Sequence, residues 1–128
     1  LFRSPLIIYS PKHLTPQIDT RFALQMDVFP TIMGILNLPY TNKTLGIDLR
    51  KNKPRPYAYF CSENTIGIVD SSLYYIWKRD AIESAYHYKT KSTENILSRY
   101  SAVVQKMKDY GFSMIQVTND IFKNRKTK

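Results

Sequence analysis

A single cysteine, Cys61, stands in 128 residues, so the chain cannot close a disulfide within itself and lacks the ligand spacing of a zinc site. Cysteine usage therefore fixes no compartment, and a lone thiol in an aromatic strand reads as buried and inert. Glycine is scarce as well: the four residues stand isolated at 34, 46, 67 and 111, which excludes the clustered glycines that cradle phosphates. The two histidines, His13 and His87, lie far apart, and neither has a second His, Cys or carboxylate at metal-ligand spacing on its own element. Both read as surface or structural. Ser4, Ser10 and Thr31 lack the elbow context or adjacent base that an activated nucleophile needs. No apolar run approaches the roughly 18 to 20 residues that span a bilayer, and the first residues show none of the charged, apolar and small-residue regions of a signal peptide.

Acid is the remaining shortage. Ten Asp and Glu face 19 Lys and Arg, for a formal net charge of +9. Clustered cations of this number can release counterions from a phosphate backbone, but the distribution points elsewhere. Lys51, Lys53 and Arg55 sit in a proline-broken loop, and Lys123, Arg125, Lys126 and Lys128 crowd the C-terminus. Loops and tails of this kind are ordinarily solvated, so nucleic acid is not the expected partner. An electrostatic preference for anionic lipid headgroups or a polyanionic polymer stays open.

With 43% hydrophobic residues, the length suits one domain with one core. Leu6, Ile7, Ile8 and Tyr9 form a short β-favouring run without polar alternation, the pattern of a strand covered on both faces in a parallel sheet. A long loop with Pro11, Lys12, His13, Pro16 and Asp19 comes next. Asp27 can cap a helix over residues 28–37, with Pro30 in its first turn and Asn37 and Pro39 as the stop. Gly34 inside that helix implies close packing against another element. Residues 38–56 are rich in turn formers and read as irregular surface, with Asp48 in a turn. Paired carboxylate chemistry by Asp27 and Asp48 is the less economical reading, since capping and turn roles account for both.

Three β-favouring runs, residues 57–61, 65–69 and 72–77, are separated by Ser62-Glu63-Asn64 and Asp70-Ser71, and residues 83–89 offer a fourth. Such spacing predicts an antiparallel meander. Its aromatic residues, Tyr57, Tyr59, Phe60, Tyr74, Tyr75 and Trp77, could stack bases, but alternation puts half of them on a core face, which is the simpler role. Glu63-Asn64 could line a cleft or form a turn, and the turn is preferred. Ser92 or Thr93 can cap a closing helix on which Ile96, Leu97, Tyr100, Val103, Val104 and Met107 make one stripe, with Gly111 as a kink or break. The expected fold is α+β, a fragment of an α/β architecture: one strand and one helix belonging to a larger parallel sheet, then a small antiparallel sheet of three or four strands packed by a C-terminal helix.

Four segments occur in a telling order: Pro5-Leu6-Ile7-Ile8-Tyr9-Ser10-Pro11; Gln25-Met26-Asp27-Val28-Phe29-Pro30-Thr31-Ile32-Met33-Gly34-Ile35-Leu36; Gly46-Ile47-Asp48-Leu49; and Arg55-Pro56-Tyr57-Ala58-Tyr59-Phe60. Together they resemble the C-terminal part of the sulfatase branch of the alkaline phosphatase superfamily, nearest to its lipoteichoic acid synthase and phosphoglycerol transferase type. The resemblance extends to about residue 77, and the remaining residues fit loosely as a variable terminal helix. It implies that residues 1–56 end a catalytic α/β core and that residues 57–128 form a small sheet with a terminal helix, in one compact unit cut from a longer protein.

In that family the Thr, Ser or formylglycine nucleophile and most metal ligands lie upstream, and a final Asp-His-Gly motif shortly precedes a strand like residues 6–9. None of these is present here. The resemblance therefore implies a subdomain inactive by itself, with no catalytic residue, metal ligand or cofactor of its own, whose partner is the upstream catalytic domain of the same chain. The parent would use a divalent cation, Mn²⁺, Mg²⁺ or Ca²⁺, to stabilise oxyanions while its nucleophile attacks a phosphate or sulfate ester. It would transfer phosphoglycerol or phosphoethanolamine or hydrolyse sulfuric or phosphoric esters, with an anionic lipid or a sulfate or phosphate ester as its substrate. Its expected place is extracytoplasmic, on a membrane-anchored bacterial protein. Asp27, Pro30, Gly34, Gly46 and Asp48 are then structural. Lys12, His13 and Arg21, on the loop that leaves the carboxyl end of the first strand, are the candidates for touching an anionic substrate. The competing expectation is a free-standing basic module that binds nucleic acid or an anionic polymer.

Overall fold

The computed structural model describes residues 4–51, 53–90 and 92–126. Four strands, β1 (Ala58–Ser62), β2 (Thr65–Val69), β3 (Leu73–Lys78) and β4 (Glu83–His87), form an antiparallel sheet in the order β1-β2-β3-β4. Each connection is short enough to enforce that order. Ser62 pairs with Thr65 across a turn at Glu63 and Asn64, and the Asp70 carboxylate accepts the amide hydrogens of Ser72 and Leu73 at 2.7 and 2.6 Å to fold the next turn. The β4 strand stops at His87, earlier than the sequence pattern suggests, where a 3-10 turn at Tyr88–Thr90 takes over.

Strand alternation sorts the side chains. The pairs Tyr59 with Ile68, Ile68 with Tyr75 and Tyr75 with Ala85 lie on one face, and the long helix α2 (Ser101–Lys126) covers it. Ile66, Ile68, Leu73, Tyr75 and Ala85 are buried there with Ile96, Val104 and Met107. Trp77 meets Phe112 edge-on, with ring centroids 5.3 Å apart. The opposite face carries Phe60, Val69, Tyr74, Ile76 and Tyr86.

Two expectations for the closing helix are corrected. It begins at Ser101 and is not capped by Ser92 or Thr93; Ser92 instead accepts the Glu94 amide hydrogen at 3.2 Å. The residues between are engaged at the sheet edge, where the Asn95 side chain accepts the Ala85 amide hydrogen at 3.1 Å and Ile96 donates to the Ala85 carbonyl at 2.9 Å. An edge strand with open amides has a strong demand for partners, and it draws this segment out of the helix. Gly111 does not break α2, which runs through it without interruption. A Cβ on it would collide with the Ile68 side chain, so the glycine marks a close approach of helix and sheet.

The N-terminal half contains a 3-10 turn, Gln25–Asp27, and the helix α1 (Val28–Ile35). Asn37 ends it in the left-handed region at φ 51°, with its amide bonded to Gly34 O and that of Leu38 to Met33 O, the closure that an asparagine past a helix end permits. Residues 38–51 and 53–56 carry no helix or strand, matching their turn-rich composition. Residues 6–9 are not a strand. Ile7 and Tyr9 are 84% and 90% exposed, and the one sheet formed by the described residues is antiparallel and does not include them. A β-favouring run becomes a strand only against a neighbour that fills its hydrogen bonds.

The halves meet along α2. On the sheet side, Tyr57 and Tyr59 set their rings edge-on to Tyr110, with centroids 5.2 and 6.1 Å away. Further along, Met26, Thr44 and Leu45 face Thr118, Ile121 and Phe122 across a cavity of about 160 Å³. Among the described residues, no helix is long and apolar enough to cross a membrane. Cys61, expected to be buried, is exposed near the end of the edge strand β1.

Candidate functional site

The polar centre of the N-terminal half is Asp27. It is fully buried, and its carboxylate does not cap α1, for it makes no side-chain bond to that helix. One oxygen accepts the Leu24 amide hydrogen at 2.8 Å and the other that of Ile47 at 2.9 Å. The Arg55 guanidinium spans both, with Nη2 2.6 Å from Oδ1 and Nε 3.2 Å from Oδ2. Arg55 Nη2 also donates to the Leu45 carbonyl at 2.5 Å. The side chains of this pair are 6% and 0% exposed. Burial opposes the charge on Arg55, but hydrogen bonding and attraction from Asp27, joined by Tyr110, hold its pKa above the ordinary value. The planar fork of arginine suits such a bidentate, desolvated pair.

Thr31 adds a second stitch. Its hydroxyl donates to the Asp27 carbonyl at 2.7 Å and accepts the Leu49 amide hydrogen at 3.0 Å. Segments distant in sequence are thus sewn together at residues 24–31, 45–49 and 55. Gly46 lies against Met26, whose carbonyl a Cβ at 46 would strike, and close to Pro30, which is itself buried. Gly34 lies over the Asp48 turn, where a Cβ would collide with the Asp48 and Arg50 side chains. Asp48 accepts the Arg50 amide hydrogen at 3.0 Å and pairs with its guanidinium at 2.9 Å. The hydrogen bond from Arg50 holds the Asp48 carboxyl below its ordinary pKa. The structure therefore brings Asp27, Pro30, Gly34, Gly46 and Asp48 into one cluster.

Arg55 is the member that reading the charge pattern misplaces. Among Lys51 and Lys53 it looks like a solvated loop cation, yet it is buried. The signal that could have found it is the need of a buried carboxylate for a cation, combined with the place of Arg55 just before the first core strand, where the chain must turn inward.

The anion-binding candidates are held in different ways. Lys12 and His13 are exposed in a turn at residues 11–13, held by the His13 amide on the Ser10 carbonyl at 3.0 Å. Arg21 is committed elsewhere. It grips Asp19 in a bidentate pair with contacts of 2.6 and 3.0 Å and donates to the Leu49 carbonyl at 2.5 Å. That grip lowers the Asp19 pKa and ties the early loop to the Asp48 turn. Among the described residues, no side-chain hydrogen bond joins Lys12 or His13 to Arg21.

Chemically, the cluster is a clasp. The Asp27 carboxylate already accepts from two amides and a guanidinium, which leaves little capacity for a proton or a metal. Among the described residues no group of three or more His, Cys, Asp or Glu could hold a metal ion. No family model matches the chain.

Proposed function

We propose that this chain is the C-terminal subdomain of a sulfatase-like enzyme of the lipoteichoic acid synthase and phosphoglycerol transferase type, and that it braces the catalytic body without performing the reaction. One observation carries the reading. Three of the four segments on which the resemblance rests are the three sewn together by the Asp27 clasp. Their order reflects structural wiring. The apolar side chains beside that wiring face solvent: Phe29 and Ile32 on α1 and Leu36 at its C-terminal end, with Leu6, Ile7 and Ile8 before it, are exposed. An apolar helix face beside an unpaired β-favouring run suits an element meant to lie against a larger sheet.

On this reading the nucleophile and the divalent cation, Mn²⁺, Mg²⁺ or Ca²⁺, belong to an upstream catalytic domain. The substrate is an anionic lipid or a phosphate or sulfate ester, and the parent is membrane-anchored with this part outside the cytoplasm. The present chain contributes rigid support through Asp27, Thr31, Asp48 and Arg55.

The test has two arms. The 128-residue chain, incubated with a chromogenic phosphate or sulfate ester and Mn²⁺, is expected to show no turnover, and turnover lost on changing His13 or Asp48 would refute the bracing role. Reading the gene upstream of the first residue should reveal a nucleophile-bearing segment and an Asp-His-Gly motif. An upstream sequence without either removes the superfamily assignment. Binding to nucleic acid or a polyanion that weakens steeply with salt would instead favour a basic binding module.

A further inference from the structure

We draw no further inference here: the strongest candidate, the aromatic face of the sheet opposite α2 that carries Phe60, Val69, Tyr74, Ile76 and Tyr86, carries nothing because nothing in the structure shows what covers it.

Discussion

Arg55 and Asp27 neutralise one another in a nearly fully buried pair, which makes it sensitive to the loss of either partner. Replacing Arg55 by Met leaves a buried carboxylate without its cation, at a cost of about 3–5 kcal/mol. Adding Asp27→Asn removes the stranded charge while keeping a carbonyl oxygen that can accept one of the two backbone amides. The double variant should therefore be more stable than Arg55→Met alone, as measured by equilibrium urea unfolding. A double variant that is the weaker of the two would show that the amide contacts, and not the charge pair, dominate the site. The clasp also shows how far the sequence could be read. A structural role for Asp27 is legible from its place before an apolar helical stripe, but its partners at Ile47 and Arg55 are long-range and leave no periodic trace.

Glu83 provides a residue-scale effect of pH. Its carboxylate receives a hydrogen bond from Lys108 at 2.6 Å and another from the buried Tyr75 hydroxyl at 2.8 Å. Lys108 contributes most to holding the Glu83 pKa below its ordinary value of 4.5. The same carboxylate, after burial, holds the Tyr75 hydroxyl well above its ordinary value. Because the folded pKa of Glu83 is depressed, its contribution is fully present above the unfolded value and is lost as pH falls through the folded one. Urea midpoints should thus decline on acidification below about pH 4.5, and Lys108→Met should flatten that part of the profile. An unchanged slope in the variant would remove Lys108 as its cause.

At the scale of elements, Gly111 sets two physical effects against each other. Alanine is favoured over glycine inside a helix by about 1 kcal/mol, yet a Cβ at this position would enter the space of Ile68. Overpacking of a close-packed core costs about 1–3 kcal/mol, so Gly111→Ala should lower the melting temperature despite the propensity gain. The nearest obstructing atom is Ile68 Cδ1, which valine lacks. Adding Ile68→Val to the Gly111→Ala variant should recover part of the loss, and a stabilised Gly111→Ala protein would contradict the packing account. The meander was legible because alternation, Asp70 and the Glu63-Asn64 turn are local signals. The start of α2 was not, because residues 92–100 answer a demand of the β4 edge, which no local pattern records. Residues 6–9 have the composition of a strand, but strandedness belongs to a pair, and the described residues supply no second member.

At the scale of the whole molecule, α2 serves both halves of the chain. Its first turns bury Val104 and Met107 against the sheet, while Thr118, Ile121 and Phe122 face Met26 and Leu45 of the N-terminal half. At 26 residues and about 1.5 Å per residue, the helix outreaches strands of five or six residues, and the surplus is what the N-terminal half rests on. Local stability should respect this division. Ile121→Asp places a charge at that contact and leaves the sheet core untouched, so hydrogen exchange should accelerate at the Leu24 and Ile47 amides that bond Asp27. Amides of β2 and β3, paired across the sheet centre, should keep their protection. Equal acceleration in both sets would mean that the halves unfold as one cooperative unit. Selective loss would locate the weak seam between the clasp and the helix, which is the seam that contact with a larger catalytic body, on the proposed reading, would reinforce from the exposed side of α1.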